Sequence, residues 1–78
     1  MKLRIFTRCP ITACRFRRLG AHPEMIPGGW AFDVDAGPDS RALVALVVEE
    51  LRSAVIAQNS EDAFAALRSE PRLAVGSR

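Results

Sequence analysis

Tyrosine is absent from the 78 residues, and histidine and tryptophan occur once each. With one imidazole and no phenol, no convincing nucleophile–base set can be assembled. The serines Ser40, Ser53, Ser60, Ser69 and Ser77 fall in helix or loop contexts. Asp33 and Asp35 are spaced to share a strand face, where salt bridging suits them better than a carboxylate dyad. An enzyme is the class least expected, and no cofactor is implied. Long hydrophobic runs are also lacking. The longest, Ala42 to Val48, has seven residues, against roughly 20 for a membrane span. Arg8 interrupts the start of the chain before a secretory core can form. A cytoplasmic chain with reduced thiols is expected, with no membrane partner.

Cysteine is scarce. Cys9 and Cys14 stand in a C-x4-C spacing, with His22 further on. A tetrahedral zinc site needs four ligands, usually from two close pairs. Cys9, Cys14 and His22 supply three, so no metal is expected. The thiols read as small hydrophobes in core or hairpin positions. If their strands pair, a disulfide across the turn is geometrically conceivable but disfavoured in cytosol. A redox C-x-x-C motif is missing. Gly28-Gly29 precedes a strand and not a helix, which excludes a phosphate loop.

Acidic residues are missing from the first 23 positions, which hold Lys2, Arg4, Arg8, Arg15, Arg17 and Arg18. The other 55 residues carry all nine acids against five arginines, so +6 and −4 give the net +2. The small net charge conceals a dipolar split, and a one-sign patch attracts a partner of opposite sign.

What is present suits a folded domain. Apolar residues make up 49% and charged residues 26%, which is ordinary globular composition. The length implies one domain over residues 1–78, with a mobile tail over 76–78. Residues 2–9 alternate with period two and predict a strand ended by Pro10. Residues 13–19 alternate again and predict a second strand, joined to the first as a hairpin. Residues 20–29 read as loop. Trp30 to Asp35 predicts a third strand, with Trp30, Phe32 and Val34 on its apolar face. Asp39 or Ser40 then caps a long helix, free of Gly and Pro to Asn59. Its stripe is Val44, Val47, Val48, Leu51 and Val55. Ser60 caps a short helix carrying Phe64 and Leu67, which Pro71 stops. Glu49, Glu50, Glu61 and Asp62 read as residues that keep the helices soluble. Arg72 to Val75 reads as a last strand.

The expectation is an α+β, two-layer domain of order β-β-β-α-α-β. An antiparallel sheet of three to four strands packs on one long and one short helix. The uncovered sheet face then presents Lys2, Arg4, Phe6, Arg8, Arg15 and Arg17, with Arg18 beside them. One reading is a solvated face with cross-strand Arg–Asp pairs. The other is an interaction surface for an acidic protein or, through Arg4, Arg8, Arg15 and Arg17, for DNA or RNA. A third possibility is dimerisation through a sheet edge or spare helix surface.

In size and pattern the whole chain, Met1 to Arg78, resembles the small phage-encoded inhibitors of bacterial defence, the anti-CRISPR proteins. The resemblance lies in architecture, not in a motif. It implies a non-catalytic inhibitor in the host cytoplasm. Such an inhibitor docks on a larger complex, a CRISPR effector subunit, and masks its DNA-binding or PAM-reading surface.

Overall fold

The computed structural model describes residues 2–35, 41–50, 54–69 and 72–77. Its elements are β1 (Lys2–Thr7), α1 (Pro10–Arg18), β2 (Glu24–Ile26), β3 (Gly29–Asp35), α2 (Arg41–Glu50), β4 (Val55–Ile56), α3 (Ser60–Leu67) and β5 (Ala74–Ser77). The class is α+β. One sheet has the order β2-β3-β1-β5-β4. β1 runs antiparallel to β3 and β5, β2 antiparallel to β3, and β4 parallel to β5. The sheet is therefore mixed and five-stranded, and the described helices number three. Among the described residues no helix is long and apolar enough to cross a membrane.

The alternation of β1 and β3 is realised as read. Ile5 lies opposite Phe32 and Val75, and Phe6 opposite Ala31 and Ala74. Residues 13–19, expected as a strand, belong instead to α1. Pro10 occupies its first turn, where a missing N–H costs nothing and the ring presets φ. Thr12, Ala13 and Phe16 form the buried face, at i, i+1 and i+4. Arg15, Arg17 and Arg18 fall in the last turn, where the helix dipole favours cations. Gly20, at φ +97°, closes the helix. Its N–H donates to the Arg17 carbonyl, and the Ala21 N–H donates to that of Phe16, both at 3.1 Å, the Schellman arrangement.

The hairpin is β2–β3, and its first strand and turn lie in the segment expected as loop, 20–29. Pro27 and Gly28 turn it, with Gly28 at φ +97°, as a type II turn requires at its third residue. The long helix ends earlier than its stripe suggests. α2 buries Leu46, Val47 and Glu50, so the inward face is rotated from the Val stripe and Val48 is exposed. The proposed caps Asp39 and Ser40, and Leu51 to Ser53, lie outside the described residues. Val55 and Ile56 pair with Ala74 and Val75 as parallel strand β4; β-branched residues favour that state. Asn59, not Ser60, caps α3, its side chain accepting from the Asp62 N–H at 2.9 Å. Gly76, expected in a mobile tail, sits in β5 opposite Arg4. A Cβ there would meet the Ala57 carbonyl oxygen at 2.9 Å.

Helices cover both faces of the sheet. On one, Leu3, Ile5, Phe32, Val34 and Val75 pack with Phe16 of α1 and with Leu43, Leu46 and Val47 of α2. On the other, Phe6, Ala31 and Ala74 meet Ala63, Phe64 and Leu67 of α3. Each large apolar side chain removed from water contributes about 1.5–3 kcal/mol. The two-layer expectation fails on this second cluster. Its sheet side is built mainly from alanines, which carry little hydrophobic signal, and Phe6 alternates with the bases Arg4 and Arg8.

Candidate interaction surface

The expected basic sheet platform is not assembled. Phe6 is 5% exposed, because α3 lies over it. Arg15, Arg17 and Arg18 stand on α1, across the sheet from Lys2 and Arg4. The uncovered part of the α3 face holds Lys2 and Arg4 opposite Asp35 and Asp33. Arg4 donates to Asp33 at 3.3 Å, the cross-strand pairing of the solvated-face reading. Two bases facing two acids leave little net field there.

Three further bases of the expected set stand outside β1. Arg8 follows β1, and Arg17 and Arg18 lie on α1; all three are exposed. No ion pair of these arginines is found among the described residues. With Thr12, Ala13 and Phe16 turned inward, the outer face of α1 carries Ile11, Cys14 and Arg18 at i, i+3 and i+7. Ile11 is 71% exposed. A groove of about 350 Å³ runs along Pro10, Ile11, Cys14, Arg15 and Arg18. A smaller one of about 150 Å³ lies on the other side of Cys14, against Arg17, Pro23 and Trp30. One face therefore combines an uncovered branched hydrophobe with guanidinium groups.

Arg15 is used internally. It donates to Glu50 Oε1 and lies 3.9 Å from Glu49. Arg72 stands 3.7 Å from Glu50 Oε2. Read as a solubilising helix residue, Glu50 is instead buried, its side chain 2% exposed. It ties α1, α2 and the approach to β5 together. Its place on the inward stripe, at i+7 from Leu43 and i+4 from Leu46, was the signal available in the sequence.

Cys9 precedes α1 as its N-cap residue, and Cys14 follows five residues later on the helix. That spacing separates them by roughly 7.5 Å along the axis and about 140° around it. The disulfide conceivable for paired strands is thus out of reach. The Cys9 side chain forms no cap hydrogen bond. Even so, the backbone N–H of Thr12 and then its hydroxyl favour the thiolate and hold its pKa below the ordinary value, against desolvation and the Glu50 charge. His22 is exposed. Among the described residues no three His, Cys, Asp or Glu side chains gather as metal ligands.

No family model, curated protein or solved structure matches the chain.

Proposed function

We propose that the chain is a non-catalytic binding module whose working surface is the outer face of α1. Arg8, Arg17 and Arg18 supply the positive field, and Ile11 supplies the apolar anchor. The observation that carries this reading is Ile11, 71% exposed in the first turn of an arginine-rich helix. A phosphate lattice has no use for a branched aliphatic anchor, whereas a protein surface desolvates it. Charge complementarity calls for an acidic partner. The resemblance in size and pattern to small phage-encoded inhibitors suggests as that partner a subunit of a larger assembly, such as a CRISPR effector in the host cytoplasm, with its nucleic-acid site masked by the docked module.

The test compares the wild-type protein with an Arg17→Glu, Arg18→Glu variant and with Ile11→Ala, as baits in nuclease-treated bacterial lysate containing CRISPR effectors. A defined effector subunit is retained by wild type, lost from the charge-reversed variant and weakened by Ile11→Ala. Equal retention by all three baits overturns the reading. Short DNA or RNA bound in place of protein, with affinity falling steeply as salt rises, replaces it with a nucleic-acid module. A second reading is favoured by Ile56, 89% exposed on edge strand β4: self-association through that edge. Sedimentation shows a concentration-dependent dimer if this is so, and a monomer at all concentrations if not.

A further inference from the structure

A second concavity, remote from α1, lies on the α3 side of the sheet. Arg4, Phe6, Ile26, Pro27, Ser60, Glu61 and Phe64 line a cleft of about 540 Å³. Ligand pockets typically span roughly 300–1,000 Å³. Its floor is aromatic: Phe6 and Phe64 meet edge to face, with centroids 6.0 Å apart. Gly28 and Gly29 leave room for the Phe64 ring, since a Cβ would stand 3.3 Å from it on Gly28 and 2.9 Å from it on Gly29. Ile26 and Pro27 form an apolar wall.

The polar groups of this cleft are of both signs and come from different elements. Arg4 projects from β1; Ser60 and Glu61 come from the first turn of α3. Asp33 engages one Arg4 nitrogen, Nη1, and a guanidinium has five donor hydrogens, so donors remain for a ligand carboxylate. Glu61 and its neighbour Asp62 oppose a phosphate or other polyanion at this helix end. Arg4 equally opposes a simple cation. A ligand that satisfies both charges and the aromatic floor carries a carboxylate, an ammonium group and an apolar body. Such groups occur together, a carbon apart, in an α-amino acid.

We propose that this cleft binds a free α-amino acid with an apolar side chain. Arg4 and the Ser60 hydroxyl take the carboxylate, Glu61 takes the ammonium group, and Phe6, Phe64 and Ile26 receive the side chain. The site is independent of the α1 surface.

The experiment is a titration of the ¹⁵N-labelled full chain with L-phenylalanine and L-leucine, followed by amide chemical shifts. Saturable shifts are expected at Arg4, Ile26, Ser60, Glu61 and Phe64, and not along α1. Phenylalaninamide and N-acetylphenylalanine each lack one charge and bind about tenfold more weakly or worse. Arg4→Gln and Glu61→Gln reproduce those two losses selectively, with spectral dispersion reporting the fold. The derivatives test the proposal even where a variant fails to fold. No saturable shift up to the solubility limit overturns it. So does equal binding of phenylalanine and both derivatives.

Discussion

Glu50 makes an asymmetric prediction about which member of an ion pair is expendable. Its side chain is 2% exposed, whereas Arg15 and Arg72 are 42% and 70% exposed. Its Oε2 has no hydrogen-bond partner among the described residues, although the Arg72 guanidinium stands nearby. Removing Arg15 leaves a carboxylate in the interior without its principal counter-charge. Stranding a buried charge typically costs about 3–5 kcal/mol. Removing Glu50 instead leaves two guanidinium groups that water already reaches, and it deletes the desolvation penalty. Arg15→Met is therefore expected to destabilise the domain by about 3 kcal/mol or more, and Glu50→Met to change it by about 1 kcal/mol or less. A chain of this size has a total stability of about 4–12 kcal/mol, so the first variant approaches the unfolding threshold. Urea unfolding followed by Trp30 fluorescence measures both. The double variant, Arg15→Met with Glu50→Met, is expected to recover most of the Arg15→Met loss. Equal costs for the two single variants, or no recovery in the double, refute the reasoning.

Other substitutions test the packing and the thiol. Phe16→Ala, which empties a fully buried ring position, is expected to cost about 3–5 kcal/mol in the same urea assay. Gly29→Ala drives a Cβ into the Thr7 carbonyl and the Phe64 ring and should cost about 2 kcal/mol or more. Gly20→Ala meets open space but keeps φ at +97°, so only about 1–2 kcal/mol is at stake. With Cys14→Ser removing the other thiol, iodoacetamide modification of Cys9 should titrate below the ordinary cysteine value. Thr12→Val should move its midpoint partway back up. Because folding lowers this pKa, the thiolate's contribution to stability is present above the unfolded value. It fades as pH falls through the folded one. Cys9→Ala should therefore flatten that part of the stability–pH curve in urea titrations.

Legibility in the sequence followed the strength of the apolar signal. The β1 and β3 strands were readable because large residues alternate with charges, as in Ile5 and Phe32 against Arg4 and Asp33. α3 was readable from Phe64, Leu67 and the acids of its first turn. Residues 13–19 misled because Cys14, Phe16 and Arg18 alternate while Ala13 and Thr12, which choose the helical face, are small. The proline before them ends a strand and equally begins a helix, and the sequence signal for the two is the same. Val55 misled in the opposite way, continuing a helical stripe although its pairing partner, Ala74, lies far along the chain. The basic residues were visible, but their grouping was not. That grouping depends on α1 carrying Arg17 and Arg18 to the far side of the sheet and on α3 hiding Phe6. The cleft at Arg4 and Glu61 is tertiary in origin, joining residues almost sixty positions apart.

The position of β5 governs how this molecule can be made. Ala74–Ser77 slots between β1 and β4, so the fragment emerging earlier from a ribosome has a gap through the centre of its sheet. Until those residues arrive, β1 displays one unpaired ladder of backbone amides and carbonyls, and β4 lacks its strand partner among the described residues. At synthesis rates of about 5–20 residues per second, that incomplete template persists for seconds and invites edge-on association between nascent chains. The sheet is consequently completed only once β5 has been made, and expression yield should respond more to the sequence of residues 74–77 than to changes of similar size in β2.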